Sequence, residues 1–188
     1  MKAAQFTNKV TVTKKKRKPT RFHGTDHFLT RQQFAELCAA SAPFYAMLWR
    51  LMVGHALRIS EALSLRAEDI SAGYLTIQRL KGSQRTRQPL LVDLSAQIAS
   101  GTYRLFPVHR STAFLHFRRA AAAIGLHPDL WHPHVLRHSC CQWLLQANVP
   151  LHMASTYMGH SSLASTAQYL NCGDEKASAA AMEVIGRL

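Results

Sequence analysis

Residues 74–92 run Tyr74-Leu-Thr-Ile-Gln-Arg-Leu80, then a basic turn from Lys81 to Arg87, then Pro89-Leu-Leu-Val92. Two short β-prone runs around a polar, glycine-containing turn predict a hairpin. This is the only convincing strand signal in the 188-residue chain. The fold class follows from it: mainly α with a small antiparallel β-hairpin or sheet, an α+β arrangement.

Working upstream, helical spacing replaces alternation. Pro43, Phe44, Leu48, Leu51, Met52 and His55 predict a buried helix with proline in its first turn. A bend over Gly54 to Ile59 leads into a short helix opened by Ser60 and Glu61 and containing Ala62, Leu63 and Leu65. Folded structure is expected to start at Leu29-Thr30, where Thr30 can cap a helix running to about Ala40 and Gln33 can reach back in a capping box. Downstream, helices are predicted from about Thr112 to Ile124 with a stop at Gly125, over Pro133 to Ala147, from near Pro150, and over Ala177 to Ile185. No repeat is visible at the period of a solenoid.

The chain carries 23 Lys+Arg against 10 Asp+Glu, a formal charge of +13, and 47% of its residues are hydrophobic. That apolar fraction excludes disorder over the full length. No window approaches the roughly 18–20 apolar residues of a membrane span, and the N-terminus lacks the layout of a signal peptide, so no membrane role and a cytoplasmic location are expected. The four cysteines, Cys38, Cys140, Cys141 and Cys172, form no CxxC pair and read as reduced thiols. A pI near 10.2 points to nucleic acid as partner. Residues 1–25 hold no acid and include Lys14, Lys15, Lys16, Arg17 and Lys18. This run reads either as a solvated tail or as an arm that clamps the DNA backbone; the Lys14–Lys18 cluster also looks like a nuclear import signal.

Five segments place a cation, an imidazole or a hydroxyl beside a structural punctuation mark: Gly54-His-Ala-Leu-Arg58-Ile-Ser60-Glu61, Leu80-Lys81-Gly82, His132-Pro-His134-Val-Leu-Arg137-His138, Gly159-His160-Ser161-Ser162, and Tyr169. Together they suit phosphoryl transfer without a metal. Two guanidiniums can clamp the oxygens of a phosphodiester, imidazoles and an ammonium can relay protons, and a tyrosine hydroxyl can attack. Each piece alone has a plainer reading. His134 and His138 at i and i+4 also suit a metal site or a buried pair, and Tyr169 alone suits the edge of a core. Zinc lacks a third ligand at a sensible spacing, and Arg58 and Arg137 would repel it.

Taken in order, these motifs resemble the tyrosine recombinase (phage integrase-type) family. Ala56-Leu-Arg58-Ile-Ser-Glu61-Ala-Leu-Ser-Leu65 resembles its first arginine box, and Lys81, eight residues before Pro89, its hairpin lysine. His134-Val-Leu-Arg137-His138-Ser139 resembles the second box, Met158-Gly-His160-Ser161-Ser162 the third, and Tyr169 the nucleophile. The resemblance covers roughly residues 28–172. Ile77-x-Arg-Leu-Lys81 and His132-Pro-His-x-Leu-Arg-His-Ser-Cys140 look closest to the short fimbrial phase-switch invertases.

The resemblance implies a site-specific recombinase with the catalytic-domain fold of that family. Tyr169 would form a 3′-phosphotyrosyl bond, Arg58 and Arg137 would hold the scissile phosphate, and Lys81 would protonate the leaving 5′-oxygen. His134 would assist at the nucleophile, His160 would bond the phosphate, and Glu61 would buttress the site from behind. No metal, cofactor or ATP is needed. Double-stranded DNA is the implied partner, bound by a homotetramer on two sites, a dimer per site, with accessory DNA-bending proteins and a nucleoid-associated location. Arg85 and Arg87 are expected as DNA contacts in the hairpin turn, and Arg118 and Arg119 either face a groove or solvent. His138, Cys140, Cys141 and Trp143 are expected to pack.

The expected organisation is a basic arm over residues 1–27 and a catalytic domain over 28–188, without the helical DNA-clamping domain that precedes it in most relatives. The apolar stripe from Ala177 to Leu188 would dock on a neighbouring protomer or fold back on its own domain. Two rival functions are a topoisomerase-like nicking and closing activity, and a DNA-binding regulator on a recombinase scaffold.

Overall fold

The computed structural model describes residues 27–79, 85–160, 162 and 164–167. The basic arm with Lys14, Lys15, Lys16, Arg17 and Lys18, the hairpin lysine Lys81, Tyr169 and the stripe after Lys176 lie outside the described residues.

Helix α1 (Arg31–Ala39) starts where the capping box places it: Thr30 Oγ1 accepts from the Gln33 backbone N–H at 3.1 Å, and Gln33 Oε1 accepts from the Thr30 N–H at 2.9 Å. Helix α2 (Pro43–Gly54) is apolar on nearly every side and is the core helix, packed by α1, α3 (Ile59–Ser64), α5 (Arg110–Ala123) and α6 (His134–Gln146). Leu48, Trp49, Leu51 and Met52 are fully buried, each contributing about 1.5–3 kcal/mol of burial or more. Trp49 meets Phe117 of α5 edge-on at 5.1 Å and donates its indole N–H to Ser41 Oγ at 3.1 Å, so its polar atom is satisfied inside the core.

The sheet has three antiparallel strands in the order β1 (Ile70–Ser71), β2 (Tyr74–Ile77), β3 (Thr86–Pro89). Strand β1 goes beyond the expected hairpin. Its turn into β2, Ala72-Gly73, has φ of +50° and +77°, the twist of a two-residue hairpin. β2 is shorter than expected because Arg79 leaves the sheet to enter the interior, where it is 3% exposed. β3 lies earlier than the expected Pro89–Val92 run and shares only Pro89 with it, because pairing Leu75 with Gln88 and Ile77 with Thr86 puts the ladder ahead of the apolar residues. The buried Gln88 fixes that register: it bonds His55 and the Tyr157 carbonyl. Arg87 is therefore a strand residue and not part of the turn, with its guanidinium 4.0 Å over the Tyr74 ring.

Helix α4 (Ser95–Ala99) is a further element that the sequence reading does not anticipate. Asp93 accepts from the Ser95 backbone N–H at 2.9 Å just ahead of it. Helix α5 stops as expected: Gly125 takes φ +69°, and the Leu126 and Gly125 N–H groups return to the Ala121 and Ala122 carbonyls. Helices α7 (Leu151–Met158) and α8 (Ala164–Ala167) follow α6 and complete the described chain. Among the described residues, no helix is long and apolar enough to cross a membrane.

Candidate active site

The first arginine sits at the N-cap of α3. Glu61, three residues on, accepts the Arg58 backbone N–H on Oε2 at 3.0 Å and its Nη1 on Oε1 at 2.6 Å. The helix start thus orients the carboxylate, and the carboxylate orients the guanidinium. Glu61 is 1% exposed. Its Oε2 also lies 3.2 Å from Arg79 Nη1 and 3.9 Å from Arg137 Nη1. Three guanidiniums around one carboxylate sum to +2 over these four side chains, a field suited to an anion.

Arg137 comes from the first turn of α6 and is 2% exposed. Its Nη1 donates to the Ala56 carbonyl and its Nη2 to the Met158 carbonyl at 2.7 Å. Ala56 presents that carbonyl because it adopts φ +51°, a left-handed conformation that only packing sustains in alanine. Arg58 is the open member of the pair, its side chain 23% exposed. The two arginines of the sequence motifs meet at Glu61 although 79 positions separate them (137 − 58).

Three residues apart on α6, Arg137 is buried whereas His134 is exposed. The His134 and His138 rings meet edge-on with centroids 4.5 Å apart. Protein packed around the His134 ring, together with His138 and Arg137, pushes its pKa down to about 3. Burial, His132 and Arg137 push His138 down to about 4. Burial, Arg137 and Arg58 do the same to His160, also to about 4. All three imidazoles are neutral at pH 7.

His160 is aimed by a helix stop. Gly159 adopts φ +66°, and the Gly159 and His160 N–H groups bond the Thr156 and Ser155 carbonyls. His160 Nδ1 lies 2.7 Å from Thr166 Oγ1, and Thr166 is fully buried on α8, three residues before Tyr169. The described tyrosines have other engagements. The Tyr157 hydroxyl donates to the Gly54 carbonyl, and burial raises it to about 12. Tyr45 stacks on His116, Tyr74 lies under Arg87, and Tyr103 lies under Arg66.

Of the expected DNA contacts, Arg85 and Arg87 are exposed, as are Arg118 and Arg119 on α5. Cys140 and Cys141 are buried and unpaired, with burial raising their thiols to about 11 and about 12. Trp143 is half-buried and donates to the Leu29 carbonyl at 3.0 Å. Three buried polar residues escape the sequence reading of the site: Arg79, His55 and Gln88. The Leu91 N–H bonds His55 Nε2 at 3.3 Å, so His55 Nδ1 carries the proton that goes to Gln88 Oε1 at 3.0 Å, and Gln88 Nε2 donates to the Tyr157 carbonyl at 2.8 Å. Arg79 was visible only as a letter in the Ile77-x-Arg-Leu-Lys81 motif. Among the described residues, no group of three or more His, Cys, Asp or Glu is placed to hold a metal.

Similar proteins share this chain's sequence and shape. A tyrosine recombinase of Pseudothermotoga lettingae is 30% identical over 159 residues, 77% of this chain and 55% of its own length. Tyrosine recombinase XerC of Rhodospirillum centenum is 31% identical over 145 residues, 68% of this chain and 42% of its own. The chain thus spans about half the length of these curated relatives. Among solved structures, XerH recombinase bound to its difH substrate superposes with a TM-score of 0.69 at 17% identity, covering 84% of this chain and 54% of that one. The catalytic domain of bacteriophage HP1 integrase superposes at 0.61 and 21% identity, covering 82% and 92%. The fold is that of a tyrosine recombinase catalytic domain. The phage integrase family model matches residues 27–176, a span that takes in both arginine boxes, the Gly159-His160 turn and Tyr169, and the chain belongs to that family.

Proposed function

We propose that this protein is a site-specific DNA recombinase that cuts and rejoins duplex DNA through a 3′-phosphotyrosyl intermediate. The observation that carries the reading is the convergence of Arg58 and Arg137 on the buried Glu61, with Arg137 also bonding the Met158 carbonyl at the start of the His160 turn. In the proposed step the Tyr169 oxygen attacks phosphorus, the bond from phosphorus to the 5′-oxygen breaks, and the ester stores the bond for religation. His134 assists at the nucleophile as the phenolic proton passes to solvent, and Lys81 gives one to the leaving 5′-oxygen. A His160 whose Nδ1 accepts from the Thr166 hydroxyl directs Nε2–H at a phosphate oxygen. Tyr169 is favoured as nucleophile because the other four tyrosines are engaged in packing, stacking or a hydroxyl bond. No metal or cofactor enters the scheme.

The finer assignments belong to the same proposal. The chain acts on double-stranded DNA as a homotetramer, a dimer per site. Arg85, Arg87 and the arm residues Lys14, Lys15, Lys16, Arg17 and Lys18 contact the backbone. Residues 1–27 work as the arm of a catalytic domain over 28–188. The chain inverts, excises or integrates a DNA segment, the fimbrial-type motifs being in keeping with inversion; accessory DNA-bending proteins assist, and the protein works in the cytoplasm at the nucleoid. Lambda integrase, a fold relative, has been solved as a tetramer on a Holliday junction, which supports the assembly. The test is a plasmid carrying two inverted copies of each candidate inverted repeat identified by sequencing the DNA that flanks the gene. Inversion supports the reading; relaxation without inversion indicates nicking and closing alone; binding with neither indicates a regulator.

A further inference from the structure

We propose that Arg79 is a positioning residue that locks the turn bearing Arg58 to the turn bearing His160, holding the two in the register that strand cleavage requires. This rests on the cleavage reading above. Arg79 enters from the end of β2 and is 3% exposed. Each of its five N–H donors meets a protein acceptor. Nε–H goes to Thr86 Oγ1 at 3.1 Å, Nη1 to the Ala56 carbonyl at 3.1 Å and to Glu61 Oε2 at 3.2 Å, and Nη2 to the His55 and Tyr157 carbonyls, both at 3.1 Å. A guanidinium has five N–H donors, so none is left for a substrate. That is why Arg79 acts through its neighbours and does not touch the phosphate.

The acceptors come from four places: the end of α2 and its turn, α3, β3 and the end of α7. One of them, Ala56, shares its carbonyl with Arg137, and another, Glu61, holds Arg58. The Arg79 side chain also lies flat against Gly159. A Cβ there would meet Arg79 Cγ and Nε at 2.9 Å, so the backbone of the His160 turn uses the guanidinium stem as its seat. Lysine has three rotatable donors in place of a planar fork and cannot bridge these four elements.

The experiment uses the full chain and a nicked suicide duplex carrying the recombination site, and compares unaltered protein with Arg79→Lys and Thr86→Val. Single-turnover formation of the covalent adduct gives a rate constant and an amplitude, and a gel-shift titration gives DNA affinity. Misplacing a reacting group by about 1 Å can lower a rate about 10²-fold, so Arg79→Lys is expected to lower the rate constant by about that factor while affinity stays within about 3-fold. A purely structural role would lower the amplitude with the folded fraction and leave the rate constant alone, and that result overturns the proposal. If Arg79→Lys does not fold, Thr86→Val decides. It removes one neutral acceptor and is expected to slow cleavage about 3–10-fold; an unchanged rate constant overturns the proposal. No adduct with unaltered protein refutes the cleavage reading and this inference together. An adduct with unaltered protein and an equal rate in Arg79→Lys refutes the inference alone.

Discussion

Replacing Glu61 by glutamine tests whether one buried carboxylate organises the site. The side chain is fully buried and faces Arg58, Arg79 and Arg137, of which the last two are themselves buried. Glutamine keeps the shape and one oxygen. In the least damaging orientation its amide nitrogen takes the place of Oε1 and meets Arg58 Nη1, which can swing toward solvent, while its oxygen keeps the Arg58 and Arg79 N–H bonds. A charge-assisted bond worth about 1.5–3 kcal/mol is lost, and Arg79 and Arg137 lose their shared counter-charge. Removing one partner of a buried ion pair costs about 3–5 kcal/mol, and we expect Glu61→Gln near the lower end, about 3 kcal/mol, because the hydrogen-bond frame survives. For a domain of this size that lowers Tm by about 6–12 °C. Urea unfolding followed by circular dichroism, with thermal melts on the same samples, measures it. A loss below about 1 kcal/mol would refute the view that the Glu61 charge holds the guanidiniums together.

Two glycines separate conformational strain from contact. Gly125→Ala meets nothing within 4 Å and should cost only the left-handed penalty at φ +69°, about 1 kcal/mol, without affecting DNA cleavage. Gly159→Ala carries the same penalty plus a Cβ 2.9 Å from Arg79, and should lose more stability and most of the cleavage rate; equal effects at the two sites would count against the Arg79 seat. Stability should fall as pH drops. His138 and His160 titrate near 4 in the folded chain against 6.5 when unfolded, so the unfolded state binds more protons below about pH 6.5 and the stability present above it is lost as pH falls toward 4; urea midpoints that stay flat from pH 7 to 4.5 would contradict the depressed imidazoles. Arg58→Lys and Arg137→Lys should each slow adduct formation by about 10² or more with DNA affinity largely kept, as quench-flow and gel shift can show, because an ammonium cannot reproduce the guanidinium fork.

Much of this was legible in the sequence wherever a local rule acts alone. Thr30 with Gln33, Pro43 and Gly125 mark helix ends through capping and backbone freedom, and the structure ends helices at those places. The arginine and histidine boxes were legible as motifs, and the fold brings Arg58, Arg137 and His160 together. What stayed hidden depends on tertiary partners. Strand β1 turns on Ala72 at φ +50°, where alanine gives no turn signal. Gln88 falls between the expected turn and strand, and its place in β3 is fixed only by the bonds that His55 and Tyr157 supply. Arg79 looks like one more cation in a basic hairpin, and only five acceptors from distant segments make its burial tolerable. Buried polar residues of this kind have no periodic signature, since their environment is assembled by the fold.

The central claim is that Tyr169 becomes covalently joined to DNA. The direct measurement is mass spectrometry of the adduct trapped on a nicked suicide duplex, after digestion of both protein and DNA. The account predicts a nucleotide 3′-phosphate attached to the peptide containing Tyr169, no adduct with Tyr169→Phe, and nearly unchanged DNA binding in that variant. An adduct mapped to Tyr103, Tyr157 or a serine, or one that persists in Tyr169→Phe, would contradict it.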